Sequence, residues 1–272
     1  MSEIVWSACT AHTAAMLRVP EGTDLDQARR VFDAFAHLNA TLKAARPDVL
    51  VIIGTDHMMT FSYEGVPIFA VGTGDAFNSW GEAGSPKTTY KGLGELGDEV
   101  VQGMFEGDFD VFSVAEMRVD HAFACPLSFL MRDLALPILP VYVNCTVPPL
   151  PSHARCRAFG QRLGDVLRRQ DVAKRVAIAG TGGLSHWVGM PQTGRINDTF
   201  DRDFLRAFES GDLDTIERLD SDRVIAQAGN GAAEIRNWLV ASAATASGSA
   251  RRLAYEPVAA WKTGIGLVEL AT

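Results

Sequence analysis

Five residues of this chain have types and spacings that could be assembled into a reactive centre: His12, His57, His121, His186 and Glu234. His12, His57 and His186 each stand a few residues past a short apolar run, IVWSAC at 4–9, VLVIIG at 49–54 and VAIAG at 176–180. Glu234 stands on a later helical stretch. Two imidazoles and one carboxylate suit a divalent metal that keeps open coordination positions. Further histidines beside such a metal could move protons near neutral pH.

The three runs are rich in β-branched residues and bounded by Gly, Pro or polar residues, which predicts buried strands. In an open α/β sheet the ligand crevice lies outside the carboxyl ends of the strands. Three such strands running the same way would bring His12, His57 and His186 to one rim. His121 lies in VDHAFACPL after the run FDVFSVAEM, so it too is expected at the carboxyl end of a strand. GTGGLSHW (180–187) repeats the arrangement with more glycine, where bare backbone can approach a ligand closely. Plainer explanations stand beside these. A lone histidine after a strand is more often structural than a ligand. A glutamate in the first turns of GNGAAEIRNWLVASAA (229–244) complements the positive end of a helix dipole. His37, on a helix, and His153, in a proline-rich loop, are expected to have only structural or surface roles.

Elsewhere strands and helices alternate. LDQARRVFDAFAHLNATLKAA (25–45) places Ala28, Val31, Phe32, Phe35, Leu38 and Leu42 on one helical face, and Arg46-Pro47 ends it. PIFAVGTG (67–74) and LPILPVYVNC (136–145) predict further strands, the second with Pro140 at an edge or bulge because proline cannot donate to a ladder. The expected fold class is α/β: a single domain over residues 1–272, with a central mostly buried sheet flanked by helices and the site at the carboxyl ends of strands. No linker-like segment divides it. Residues 72–97 hold seven glycines and one proline without apolar periodicity, which predicts a long loop. Trp80 within it could cap a pocket as a substrate lid, and a solvated surface excursion explains the segment equally well.

With 272 residues, 47% of them hydrophobic and 21% charged, the chain can bury a core without covalent staples. Cys9, Cys125, Cys145 and Cys156 show no CxxC spacing and are expected to be reduced, mostly buried thiols. A net charge of -8 excludes the basic footprint of a nucleic-acid binder. No run approaches the length of a membrane span, and no basic segment precedes an apolar stretch at the N-terminus. A cytoplasmic protein that binds neither nucleic acid nor membrane is expected.

Taken together, SACTAH, GTDHMMTF, VDHAFACPL, GTGGLSHW and GAAEIRNWL resemble the motifs of the class III extradiol ring-cleaving dioxygenases, the family of the protocatechuate 4,5-dioxygenase large subunit. The resemblance spans nearly the whole chain, and five motifs in order are far more specific than any one of them. It implies a non-haem Fe(II) held by His12, His57 and Glu234. It implies acid/base roles for His186 and His121. It also implies a small aromatic substrate, O2 as co-substrate, and in some relatives a small accessory subunit; a homo-oligomer is the default expectation. One departure is Thr13, where the family often has a small apolar residue or Pro after the histidine.

The chemistry agrees with this. Two imidazoles and a carboxylate on one face of an ion leave adjacent positions for two catechol oxygens and dioxygen. Two other readings use the same residues: a zinc-dependent hydrolase, with metal-bound water attacking an ester or amide, and a non-catalytic metal-binding relative. Two extra titratable histidines argue against the latter. The substrate stays open among protocatechuate, gallate, substituted catechols and 2-aminophenols. For a carboxylated substrate, Arg195 and Arg118 are candidate cations by position, although surface roles suit both.

Overall fold

Apolar runs that show no alternation in the sequence acquire one in the fold. In the computed structural model, which describes residues 1–272, β1 (Glu3–Thr10), α1 (Leu25–Ala45), β2 (Val49–Gly54), β3 (Phe69–Gly72), β4 (Ala76–Asn78), β5 (Thr89–Lys91), α2 (Gly94–Phe105), β6 (Phe112–Val114), α3 (His121–Leu130) and β7 (Ile138–Val143) form the first half. The second half holds α4 (His153–Arg169), β8 (Arg175–Thr181), α5 (Asp198–Glu209), α6 (Leu213–Glu217), α7 (Ser221–Ala228), α8 (Ile235–Thr245), β9 (Ala250–Val258) and β10 (Thr263–Leu270). Successive side chains of a strand face opposite ways. Val49, Val51 and Ile53 of β2 therefore enter one core, and Leu50 and Ile52 the other. Val176 and Ile178 of β8 separate from Ala177 and Ala179 in the same way.

Eight strands make one sheet in the order β6-β3-β7-β2-β8-β1-β10-β9. At its centre β7, β2, β8 and β1 are mutually parallel, with Ile53 beside Gly180 and Thr10 beside Thr181. β10 and β9 extend it antiparallel beyond β1, and β3 pairs antiparallel with β7. The carboxyl ends of β1, β2 and β8 thus share one rim, as expected. Helices α1 and α3 cover one face of the sheet. On the other, α8 lies on β8, β1 and β2, and α4 covers α8. Every residue of α8 is buried. Close approach requires Gly160 and Gly164 of α4, where a Cβ would overlap the carbonyls of Val240 and Ala244.

α1 matches its predicted span. Asp24 caps it by accepting from the N–H groups of Asp26 and Gln27, and Ala28, Val31, Phe35, Leu38 and Leu42 are buried. All four cysteines are free and buried. No helix is long and apolar enough to cross a membrane.

Three expectations change. Residues 72–97 are not one loop: β4 and β5 pair within them, and α2 begins at Gly94. Three-residue strands are too short to show a period, and the glycines of α2 that suggest a loop lie where a Cβ would press on the backbone of Gly72 and Thr73. Pro140 is not at a sheet edge, since β7 lies between β3 and β2. The β3–β7 register runs only to Val71 beside Val141, so proline stands where that ladder stops. His121 does not follow a strand either. β6 ends at Val114, and His121 is the first residue of α3.

Candidate active site

Beyond β1, the Ala11 N–H donates to the Gly266 carbonyl at 2.8 Å, and the next residue, His12, turns into the interior at 5% exposure. Its Nδ1 is buried without a hydrogen-bond partner. Beyond β2, the Asp56 carboxylate accepts from the N–H groups of Met59, Thr60 and Phe61, closing the turn that presents His57. The backbone N–H and ring Nδ1 of His57 both lie 2.8 Å from Asp120 Oδ2, and Nε2 lies 3.1 Å from Glu234 Oε1.

Glu234 is the last residue of a 3-10 turn and opens α8 without a side-chain capping bond. Its carboxylate is turned away from the helix end, accepting from the Gly183 N–H at 2.7 Å through Oε2 and facing His57 through Oε1. That orientation sets aside the helix-dipole explanation. Gly182 makes it possible: its φ of 115° favours glycine, and a Cβ there would overlap the carboxylate. His186, beyond β8, donates from Nδ1 to the Leu184 carbonyl at 2.9 Å, so that in the neutral ring the lone pair is on Nε2. His121 stacks on His57 with ring centroids 4.2 Å apart, and its Nδ1 lies 2.9 Å from Glu82 Oε1.

The fold therefore gathers all five predicted residues. The ring nitrogens of His12, His57 and His121 lie within 4.8 Å of one another, a metal-sized set that overlaps the predicted ligands at His12 and His57 but takes His121 in place of Glu234. All four histidines line one cavity of ≈ 350 Å³, whose lining also includes Trp187, Trp261 and Thr263, all buried, and Val188 and Lys262, both exposed.

Burial and charge act against each other here. Burial pushes His12 down to about 3, so it is a neutral imidazole. Burial also lowers His57, but Asp120 and Glu234 on either side outweigh it and hold the ring well above the ordinary histidine value. Burial alone would raise Glu234, yet His12 and His57 keep its carboxyl below the usual carboxylate range. His121 is lowered by burial and by His57.

Two carboxylates escaped the sequence reading. Asp120 orients His57 and caps α3 through the Ala122 N–H at 2.9 Å. An acid directly before an apolar helix is a capping signal, and VDHAF carried it. Glu82 partners both the N–H and Nδ1 of His121 from the segment expected to be a lid; no sequence signal linked residues 39 positions apart. Trp80 is not among the residues that line the cavity. Its Nε1–H donates to Thr60 Oγ1 at 3.0 Å, and the Arg118 guanidinium stacks 3.3 Å above its ring, so Arg118 is also spent outside the cavity. Arg195 sits 5.1 Å over the Trp187 ring without lining the cavity. His37 bonds Arg251 near Glu269 at the surface, and His153 opens α4, buried, with Nδ1 on the Leu219 carbonyl.

Comparison with known proteins finds relatives over nearly the whole chain. A 2,3-dihydroxyphenylpropionate/2,3-dihydroxicinnamic acid 1,2-dioxygenase of Photorhabdus laumondii is 29% identical, covering 96% of this chain and 95% of that one. An enzyme of the same name from Klebsiella pneumoniae is 27% identical over 97% and 98%. The crystal structure of an uncharacterized Escherichia coli K12 protein superposes with a TM-score of 0.64 at 13% identity, covering 98% of this chain and all of that one, and shares the fold. The family model described as the catalytic LigB subunit of aromatic ring-opening dioxygenase matches residues 7–266, and the chain belongs to that family of catechol-cleaving enzymes.

Proposed function

We propose that this chain is a non-haem Fe(II) extradiol dioxygenase that opens a catechol bearing a short carboxylated side chain, with the metal held by His12, His57 and Glu234. The observation that carries the ligand set is the buried Glu234 carboxylate, 3% exposed and 3.1 Å from His57 Nε2, beside a His12 ring whose Nδ1 has no partner. A divalent cation would offset that buried charge. Glu234 is preferred to His121 as third ligand because it brings the buried negative charge that a cation would offset. Asp120 would fix the His57 ring from behind, as outer carboxylates do for metal-bound imidazoles.

Bound Fe(II) would supply a Lewis acid that eases deprotonation of the diol and a redox centre for O2. The protein supplies the proton movements. His186, whose Nδ1–H is committed to the Leu184 carbonyl, offers Nε2 as the base for a substrate hydroxyl. His121, held by Glu82, is placed to return a proton as the ring opens, and burial and His57 make its imidazolium the readier donor. The substrate class follows the relatives' names, which specify a catechol with a three-carbon acid chain. The family match favours ring opening over the zinc-hydrolase and binding-only alternatives.

Oxygen uptake by Fe(II)-reconstituted protein, with zinc-loaded protein as control, tests this across carboxylated catechols, neutral catechols and aminophenols. Stoichiometric uptake with a yellow ring-opened product, in the iron form alone, is expected. Absence of uptake across the panel in protein shown to hold iron overturns the proposal.

A further inference from the structure

The histidines occupy one part of the cavity lining, and the turn between β9 and β10 supplies another: Trp261, Lys262 and Thr263. Trp261 and Thr263 are each 2% exposed, and both the indole Nε1 and the hydroxyl Oγ1 are buried without a hydrogen-bond partner. Buried donors of this kind ordinarily have partners, so two of them in one three-residue turn on a cavity point to a ligand. Between them Lys262 is exposed and adopts the left-handed conformation, φ 60° and ψ 24°. That conformation is strained for a residue with a side chain and is one that glycine adopts freely. Lys43 and Lys174 pair with Asp133 and Asp171, whereas Lys87, Lys91 and Lys262 are in no ion pair, and of these three Lys262 alone lines the cavity. Arg118 and Arg195 do not line the cavity, which leaves Lys262 as the one lysine or arginine that does.

We infer that Lys262, with the Thr263 hydroxyl and the Trp261 indole N–H, binds the carboxylate of the substrate's side chain and determines specificity for acid-bearing catechols. This rests on the proposed ring-opening reaction and adds the group that selects among its substrates. An ammonium and two neutral donors match the acceptor-only chemistry of a carboxylate. Trp187 and Trp261 give the cavity apolar wall against which the intervening methylenes would pack. With the diol at the histidines, the side chain would extend within the same cavity, whose lining includes this turn.

Two measurements test it on Lys262→Gln, Lys262→Glu and Lys262→Arg. In iron-loaded enzyme, kcat/KM for 3-(2,3-dihydroxyphenyl)propionate is compared with that for uncharged 3-methylcatechol. The Gln variant is expected to lose about 10- to 100-fold of that preference, in KM rather than kcat, the scale of one charge-assisted hydrogen bond. Glu should lose more, and Arg should restore most of it. In metal-free protein, titration with 3-phenylpropionate, which has no diol, is followed by quenching of tryptophan fluorescence; binding should weaken by the same factor in the Gln variant. An unchanged substrate preference and unchanged phenylpropionate binding would overturn the assignment while leaving the ring-opening reaction intact. Loss of phenylpropionate binding in an enzyme that cleaves no catechol would support the carboxylate site and instead overturn the reaction.

Discussion

The floor and the mouth of the cavity are built on opposite principles. On the floor four of the five groups are held by hydrogen bonds, and His12, buried with Nδ1 unpartnered, is the exception. His57 is gripped through its backbone and its ring by Asp120, and Glu234 is held by Gly183 while facing His57. His186 is locked by Leu184, and His121 by Glu82. At the mouth, Lys262 has no charged partner, and the Trp261 and Thr263 donors have none. A hydrogen-bonded floor fixes where chemistry takes place, and unpartnered groups on a turn leave the choice of substrate free to vary. Catalytic groups placed on rigid strand ends and recognition groups placed on connections follow that division.

The comparison breaks most completely at Glu234. Glu234→Ala should lose metal and turnover together, because it removes the only carboxylate of the ligand set; metal content after anaerobic Fe(II) loading and oxygen uptake measure both. A variant that keeps full iron and activity would transfer the third position to His121. The next largest effect separates chemistry from binding. His186→Ala should lower kcat by about 10²- to 10⁴-fold, the usual contribution of a positioned acid or base, with iron content unchanged. Iron loss in that variant would make His186 a ligand instead.

Asp120 sharpens the account of the floor. Asp120→Asn keeps the shape and, with its remaining carbonyl oxygen, one acceptor, but it gives up the charge behind His57. Iron affinity should fall by about 10- to 100-fold, the range for an outer-shell carboxylate. Some stability should go with it, since the same side chain caps α3. Equilibrium Fe(II) titration and thermal unfolding separate the two; unchanged affinity would reduce Asp120 to a capping residue.

The sequence made the floor legible and left the mouth dark, for physical reasons. β1, β2 and β8 are announced by continuous apolar runs, and the glycines of GTGG mark a close backbone approach that the fold places against Glu234. α1 is announced by its 3.6-residue period and the Asp24 cap. The carboxylates behind the histidines are harder to see, because Glu82 meets His121 only after a short hairpin and a 3-10 turn have folded. Lys262 is harder still. Its place on the cavity depends on β10 pairing with β1 across the length of the chain, and neither β9 nor β10 stands out in the sequence. Pro140 misleads for a related reason: where β3 ends is a tertiary fact that local propensity cannot report.

An effect on stability alone is expected where floor and mouth are joined. Asp201 is fully buried on α5 and accepts from the Ser185 N–H and hydroxyl, each at 2.8 Å, and from the Tyr255 hydroxyl at 2.9 Å. It thereby ties the turn carrying His186 to β9, next to the strand that leads from Lys262. Burial raises its carboxyl to about 6, against the lowering effect of those three bonds. A folded pKa above the unfolded one means that between about pH 4 and pH 6 the native state holds a proton that the unfolded chain has released. Stability from this group is therefore fully present below about pH 4 and lost as pH rises through 6. A shift of this size corresponds to roughly 3 kcal/mol at most. Asp201→Asn removes the titration, so the stability difference between wild type and variant should shrink by about 2–3 kcal/mol from pH 4 to pH 7. Urea unfolding of both proteins across that range, without metal, measures it. A difference that stays flat with pH would show that the three donors keep Asp201 ionised, and that floor and mouth are joined by a carboxylate rather than by its protonated form.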